Sequence, residues 1–331
     1  MLSIEKRIDL LDRLGKYMHS DDEQWINTQY NATNLNAWFT QDHIQVAIAN
    51  IADYYLHKDQ LQDWVGNYTL PSTPKEVGIV MAGNIPLVGF HDFLCGFVSG
   101  HKLRLKLSSK DEVLLRHLIK ELTEWAPEIA DQVEIADNLK NCDAYIATGS
   151  NNTARYFEQY FGKYPHIIRK NRTSVAVLEG DETDEELNAL ASDVFTYYGL
   201  GCRNVTQLCV PKSYDFSNVL RVFEGYGDYM LHHKYKNNYD YHLAIYLLNK
   251  VPYITNGSIL LVENALPFSA VSVLHYRYYE SLQQLAHELE QGHDIQTVVG
   301  RGFTPFGTAQ RPSLNDYADG VDTMEFLCSL K

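Results

Sequence analysis

The spacing of apolar positions changes once along the chain, and the change divides it. Over residues 1–65, Ile4, Ile8, Leu11 and Leu14 recur at intervals of three and four, which predicts helices. Trp25, Trp38 and Trp64 fall in this region and read as packing anchors. The stretch LPSTPKE at 70–76 interrupts the pattern with proline and serine. Beyond it, short apolar runs alternate with longer amphipathic ones. VGIVMAG (77–83), HKLRLKLSS (101–109), QVEIA (132–136) and DAYIATGS (143–150) predict strands. IPLVGFHDFLCGFVSG (85–100) and DEVLLRHLIKELTEWAP (111–127) predict helices between them. A second block begins near residue 166. It offers strands at TSVAVLEG (173–180), VTQLCVP (205–211), SILLVEN (258–264) and SAVSVLHY (269–276), and a helix over 181–199 with an acidic first turn. Residues 303–327 are rich in turn residues. Strands alternating with helices predict an α/β fold of two domains with parallel-rich sheets and helices on both faces.

Bulk composition narrows the partners. The 331 residues carry a formal charge of −14, which disfavours nucleic acid, since phosphate binding needs a basic surface. No run of 18 apolar residues predicts a transmembrane helix, and the charged, amphipathic N-terminus lacks the apolar core of a signal peptide. The five cysteines are odd in number, irregularly spaced and without a CxxC pair, which fits reduced thiols and a cytoplasmic setting.

The common dinucleotide fingerprint GxGxxG does not follow the first strand. Three junctions between elements carry chemistry instead. Asn84, in MAGNIPLVG, stands between a strand end and a helix start; it reads as a helix cap or as an amide aimed at an oxyanion. Gly149 and Ser150 stand between a strand and a helix, where free N–H groups meet phosphate or a cap forms. Cys202, in YYGLGCRNVTQLCVP, follows two glycines on a turn between a helix and a strand. HELEQGH (287–293) mimics a metal motif, but its histidines are six apart rather than four, so a solvated helix end is the better reading. HHKYKNNYDYH (232–242) reads as a polar, aromatic-rich surface, with a substrate loop as the alternative. Cys95 and Cys209 lie in apolar elements and read as core.

Taken in order, these residues resemble the aldehyde dehydrogenase superfamily, and most of all its acyl-CoA reductase branch, which includes the fatty-acid reductases of bacterial bioluminescence. GNIPL resembles the turn whose Asn serves the oxyanion hole. KLRLKLSS resembles the strand whose Lys contacts the cofactor ribose, here Lys106. TGS resembles the Gly–Ser turn near the pyrophosphate, GLGCRN the nucleophile turn, and Glu263 in LVENALPF the Glu that holds the nicotinamide ribose. The C-terminal PFGTAQRPSLNDYADGVDTMEFL is similar to the reductase branch. The family's catalytic Glu has no counterpart: the aligned position lies near Ile168, flanked by Arg169 and Lys170, with His166 the nearest other titratable group. The family's Glu after the cofactor Lys is replaced by Ser109, which implies NADPH, with NADH as the alternative. The resemblance implies reduction of an acyl-CoA thioester, fatty acyl included, to an aldehyde through an acyl-enzyme on Cys202. Oxidation of free aldehydes and non-catalytic acyl-CoA or nucleotide binding are the rival readings. The expected organisation is a helical region at 1–65, a cofactor domain at 66–166, a catalytic domain at 167–300 and a C-terminal segment at 301–331 returning across the cleft. A homodimer is left open.

Overall fold

The N-terminal periodicity becomes four helices: α1 (Ile4–Met18), α2 (Glu23–Leu35), α3 (Gln41–Tyr55) and α4 (Lys58–Val65). Side-chain caps start three of them, from Ser3, Asp22 and Thr40. Strands and helices then alternate: β1 (Glu76–Val80), α5 (Phe90–Ser99), β2 (Lys102–Lys106), α6 (Val113–Trp125), β3 (Val133–Ile135), β4 (Ala144–Thr148), α7 (Asn151–Phe161) and β5 (His166–Arg169). The second block holds β6 (Thr173–Val177), α8 (Asp184–Phe195), β7 (Val205–Pro211), α9 (Ser217–Phe223), α10 (His233–Asn249), β8 (Ile254–Thr255), β9 (Leu260–Glu263), β10 (Val273–Tyr279), α11 (Leu282–Glu290) and β11 (Ile295–Val299). A short α12 (Thr323–Cys328) follows. The structure, a computed structural model, describes residues 2–331.

The chain divides into two units. The first comprises residues 1–171 and 312–331, the second residues 172–311. In the first, five parallel strands run in the order β3-β2-β1-β4-β5. Apolar residues of the N-terminal helices, of α5 and α6 and of α12 share one core with this sheet, including Trp25, Phe93, Leu105 and Met324. In the second, the order is β11-β6-β7-β10-β9-β8, parallel except for the short β8. Both are α/β units with parallel-rich sheets, as the alternating pattern predicts.

Three boundaries differ from the sequence reading by four residues or more. The helix expected from residue 85 begins at Phe90, because Leu87 takes a left-handed φ of 55° and residues 86–89 form a turn. The helix expected to run to Gly199 ends at Phe195, and Tyr197, Tyr198 and Gly199 are then left-handed in succession. The strand expected from Ser269 starts at Val273, after a loop.

Candidate active site

In the first unit β2, β1 and β4 are neighbours, and Val80 is level with both Lys106 and Ala147. Their C-terminal ends therefore emerge side by side. The strand order reverses between β1 and β4, and in open parallel sheets ligands bind in the crevice outside such a reversal. Asn84 lies in the loop after β1, Lys106 ends β2 with Ser109 in the turn beyond it, and Gly149 and Ser150 follow β4. Five of the predicted site residues are thus brought to one end of one sheet. Asn84, Lys106, Ser109 and Ser150 are exposed there.

Asn84 is not the cap of α5: the N-cap is Gly89, five residues on, with no side-chain cap bond. The loop that carries Asn84 is packed instead against the turn after β2. A Cβ on Gly83 would stand 2.4 Å from Ser108 Oγ, so only glycine fits. The backbone N–H groups of Leu87 and Val88 donate to the buried carboxyl of Asp111, whose Oδ1 has no partner. Burial pushes that carboxyl well above the usual carboxylate range, against the pull of the two N–H groups. Asp111 is a loop anchor that the sequence did not single out; it only opens the stretch predicted as a helix over 111–127. Ser150 caps α7, accepting from the Thr153 N–H at 3.2 Å. Gly149 is needed for that close turn, since a Cβ would lie 2.9 Å from Phe157.

In the second unit Cys202 lies half-buried on the elbow between α8 and β7, and the described cysteines form no disulfide. The elbow is fixed by Asn204, which is 0 % exposed. Its Oδ1 accepts from the Gly201 N–H at 2.8 Å. Its Nδ2 donates to the carbonyls of Asp193, Val194 and Thr196 at 2.9, 3.3 and 2.8 Å. Its backbone N–H donates to the Gly201 carbonyl at 3.1 Å, and its own carbonyl accepts from Ser174 N–H of β6 at 3.1 Å. Ser174 Oγ donates to the Cys202 carbonyl at 3.1 Å. Arg203 donates to Thr297 Oγ1 of β11 at 3.1 Å. Beside the elbow is a cavity of ≈ 20 Å³, lined by Phe195, Tyr198, Val205, Tyr235 and the loop 269–273 among others. Asp193, in the last turn of α8, accepts from the N–H groups of Gly307 and Ala309 at 2.6 and 3.1 Å. Its burial raises it to about 6 despite those bonds.

Glu263 does not join Cys202. It ends β9, exposed, level with Tyr276 and through it with Leu208. Leu208 is three residues beyond the start of β7, about 10 Å down the strand from the elbow. The chain after Glu263 folds back, its Leu266 and Pro267 carbonyls taken by Gln207 Nε2 at 3.1 Å and Thr206 Oγ1 at 2.6 Å. Ile168 is half-buried on β5, level with Ala147, in the first unit. Arg169 beside it is closed off in a buried fork, its Nη1 2.6 and 2.5 Å from the two carboxylate oxygens of Asp92 and its Nη2 2.7 Å from Thr323 Oγ1. His166 Nδ1 bonds the Tyr164 carbonyl at 2.8 Å.

Comparison with known proteins agrees with this architecture. No curated protein matches the sequence. Among solved structures, an oxidoreductase from Marinobacter aquaeolei aligns with a TM-score of 0.66 at 10 % identity, over 93 % of this chain and 75 % of its own. The P. syringae indole-3-acetaldehyde dehydrogenase AldA, in complex with NAD+ and IAA, aligns with a TM-score of 0.64 at 12 % identity, over 90 % and 72 %. Aldehyde dehydrogenase 21 of Physcomitrella patens, in complex with the reaction product succinate, gives 0.64 at 13 %, over 90 % and 73 %. These likenesses show an aldehyde dehydrogenase fold. The family model described as acyl-CoA reductase (LuxC) matches residues 2–216, from the first helix through the Asn84 loop and the Cys202 elbow to the end of β7 and beyond. The chain therefore belongs to the acyl-CoA reductase (LuxC) family, a family of oxidoreductases.

Proposed function

We propose that this protein reduces an acyl-CoA thioester, a fatty acyl-CoA foremost, to the aldehyde through an acyl-enzyme on Cys202. The observation that carries the reading is the elbow: a thiol three residues beyond a left-handed run, on a turn pinned by the fully buried Asn204 side chain, inside the region matched by the reductase family. A thiolate at Cys202 attacks the thioester carbonyl; the new carbon–sulfur bond forms as the bond to CoA breaks, and CoA leaves as its thiolate. The Asn84 amide is proposed as the donor to the oxyanion, a role for which its exposure on an anchored loop suits it. When the acyl carbon is reduced, the bond to Cys202 breaks, the aldehyde leaves and the thiolate is restored.

The end of the first sheet fits a nicotinamide dinucleotide. Lys106 offers a cation, Ser150 and the start of α7 offer N–H groups, and Ser109 places no acidic group where a 2′-phosphate would be repelled. These residues favour NADPH, with NADH as the alternative. Solved structures of the same fold in complex with NAD+ support a nicotinamide cofactor. Bound at that end, it supplies the hydride.

The chemistry of the absent glutamate sets the test. A hydrolytic dehydrogenase needs a base to bring water onto its acyl-enzyme. The aligned position here is Ile168, and its neighbour Arg169 is committed to Asp92. Acyl-CoA supplied without nicotinamide is expected to leave a stable adduct on the Cys202 peptide, read by mass. With NADPH or NADH the adduct should discharge as aldehyde, and Cys202→Ser should fall below about a hundredth of the wild-type rate, because a serine hydroxyl without a base is a poor nucleophile. Rapid release of free acid in the absence of nicotinamide would reverse the reading in favour of aldehyde oxidation.

A further inference from the structure

We infer that Asn204 is a positioning residue for Cys202, holding the elbow and closing off the carbonyl end of α8 that would otherwise repel the thiolate. The inference rests on the reading of Cys202 as nucleophile. A helix ends in carbonyls without intrahelical partners, equivalent to about half a negative charge. α8 ends at Phe195, seven residues before Cys202, and the intervening turn bends tightly through three left-handed residues. An anion just beyond a helix C-terminus is opposed by the dipole, so this arrangement is the reverse of the helix N-terminus that activates many cysteines.

The two Nδ2 hydrogens of Asn204 answer this. They are shared across the carbonyls of Asp193, Val194 and Thr196, all within 3.3 Å. The same side chain accepts the N–H of Gly201, the residue before the thiol. One amide thus neutralises the helix end and fixes the direction in which Cys202 is presented. No other common side chain of that length combines an acceptor with two donors. Several groups on the elements around the elbow hold partners of their own. Asp193 is held by Gly307 and Ala309, Arg203 donates to Thr297, and Tyr198 stacks on His232, ring centroids 4.5 Å apart. Tyr235 donates to the Ser258 carbonyl and His275 bonds the Leu266 carbonyl.

The test is the pH profile of Cys202 alkylation by iodoacetamide, followed on the Cys202 peptide by mass in the full-length protein. Asn204→Ser keeps one donor but cannot span three carbonyls. It should raise the alkylation midpoint by about one pH unit, slowing alkylation about tenfold at pH 7, the scale of a dipole interaction in a partly buried site. Circular dichroism confirms that the variant is folded. A folded variant with an unchanged midpoint would overturn the inference and leave Asn204 a structural staple. Should Asn204→Ser not fold, the wild type supplies the measurement: the Asn204 side-chain amide resonances should shift with the same midpoint as Cys202 alkylation, and a pH-independent signal overturns the inference equally. Aldehyde formation by Cys202→Ser is measured in parallel. If that variant keeps its activity, the catalytic reading fails by itself, whatever Asn204 does to the thiol.

Discussion

Tyr197 and Tyr198 both carry a φ of 56°, a conformation that costs an L-residue about 1 kcal/mol or more. Burial and stacking hold them there: the Tyr198 ring lies 4.7 Å from Tyr229 and 4.5 Å from His232. Read as letters, the two tyrosines looked like the last turn of a helix, and only the glycines and the cysteine marked the elbow. At this scale Asp193 gives a measurable consequence. Its carboxyl is raised from 3.8 to about 6 by burial, so the protonated form favours the fold. That contribution is complete below pH 3.8 and is lost as pH rises through about 6. A rise of about two units corresponds to roughly 3 kcal/mol. Urea midpoints of wild type and Asp193→Asn should therefore diverge, the wild type losing about 3 kcal/mol relative to the variant between pH 4 and 7.5. Parallel curves would show that Asp193 does not titrate in this window.

Elements came out of the sequence unequally. α8 announced itself by an acidic first turn, and the structure adds a reciprocal cap between Thr183 and Glu186. α10 did not. Its polar, aromatic stretch suggested surface, yet it is a helix of 17 residues whose Tyr235 and Tyr239, four apart, are buried. β5 was equally obscure, because four residues ending in arginine give no alternating pattern. It is a strand because β4 pairs with it and because Asp92 of α5, 77 positions away, receives its charge. Removing one partner of such a buried pair leaves the other charge stranded, at a cost of about 3–5 kcal/mol. Arg169→Met is expected to destabilise the first unit by that amount in chemical denaturation, and adding Asp92→Leu should recover most of the loss. A double variant no more stable than the single one would mean that the pair is worth its burial.

On the scale of the whole molecule, the first unit is built from two stretches of chain, with residues 312–331 rejoining residues 1–171. Leu314, Tyr317, Met324 and Leu327 enter its core, the last two fully buried. Tyr317 accepts from Trp64 Nε1 at 2.9 Å, Tyr68 donates to Asp322 at 2.8 Å, and His101 Nε2 bonds the Leu327 carbonyl at 2.9 Å. Four such side chains at about 1.5–3 kcal/mol each exceed the margin of many domains. Deleting residues 312–331 should therefore abolish the cooperative thermal transition of the first unit. A truncated chain with an unshifted transition would contradict the core assignment.

The sequence by itself determined the fold class, most strands of the parallel sheets, β5 and β11 excepted, and the positions of several junctions between elements. Apolar periodicity and glycine placement are local properties, and they suffice to mark Asn84, Gly149 and Cys202 as residues between elements. Partnership is not local. That Asp111 anchors the loop of Asn84, that Asn204 answers the carbonyls of α8, and that Arg169 is spent on Asp92 follow from contacts between distant or reversed stretches of chain. Glu263 shows the same limit: its motif resembled a cofactor contact, but that it stands level with Tyr276 and, through it, with Leu208 could not be read from the motif. Register is fixed by which strands pair and how far each slides, and only the assembled sheet sets both.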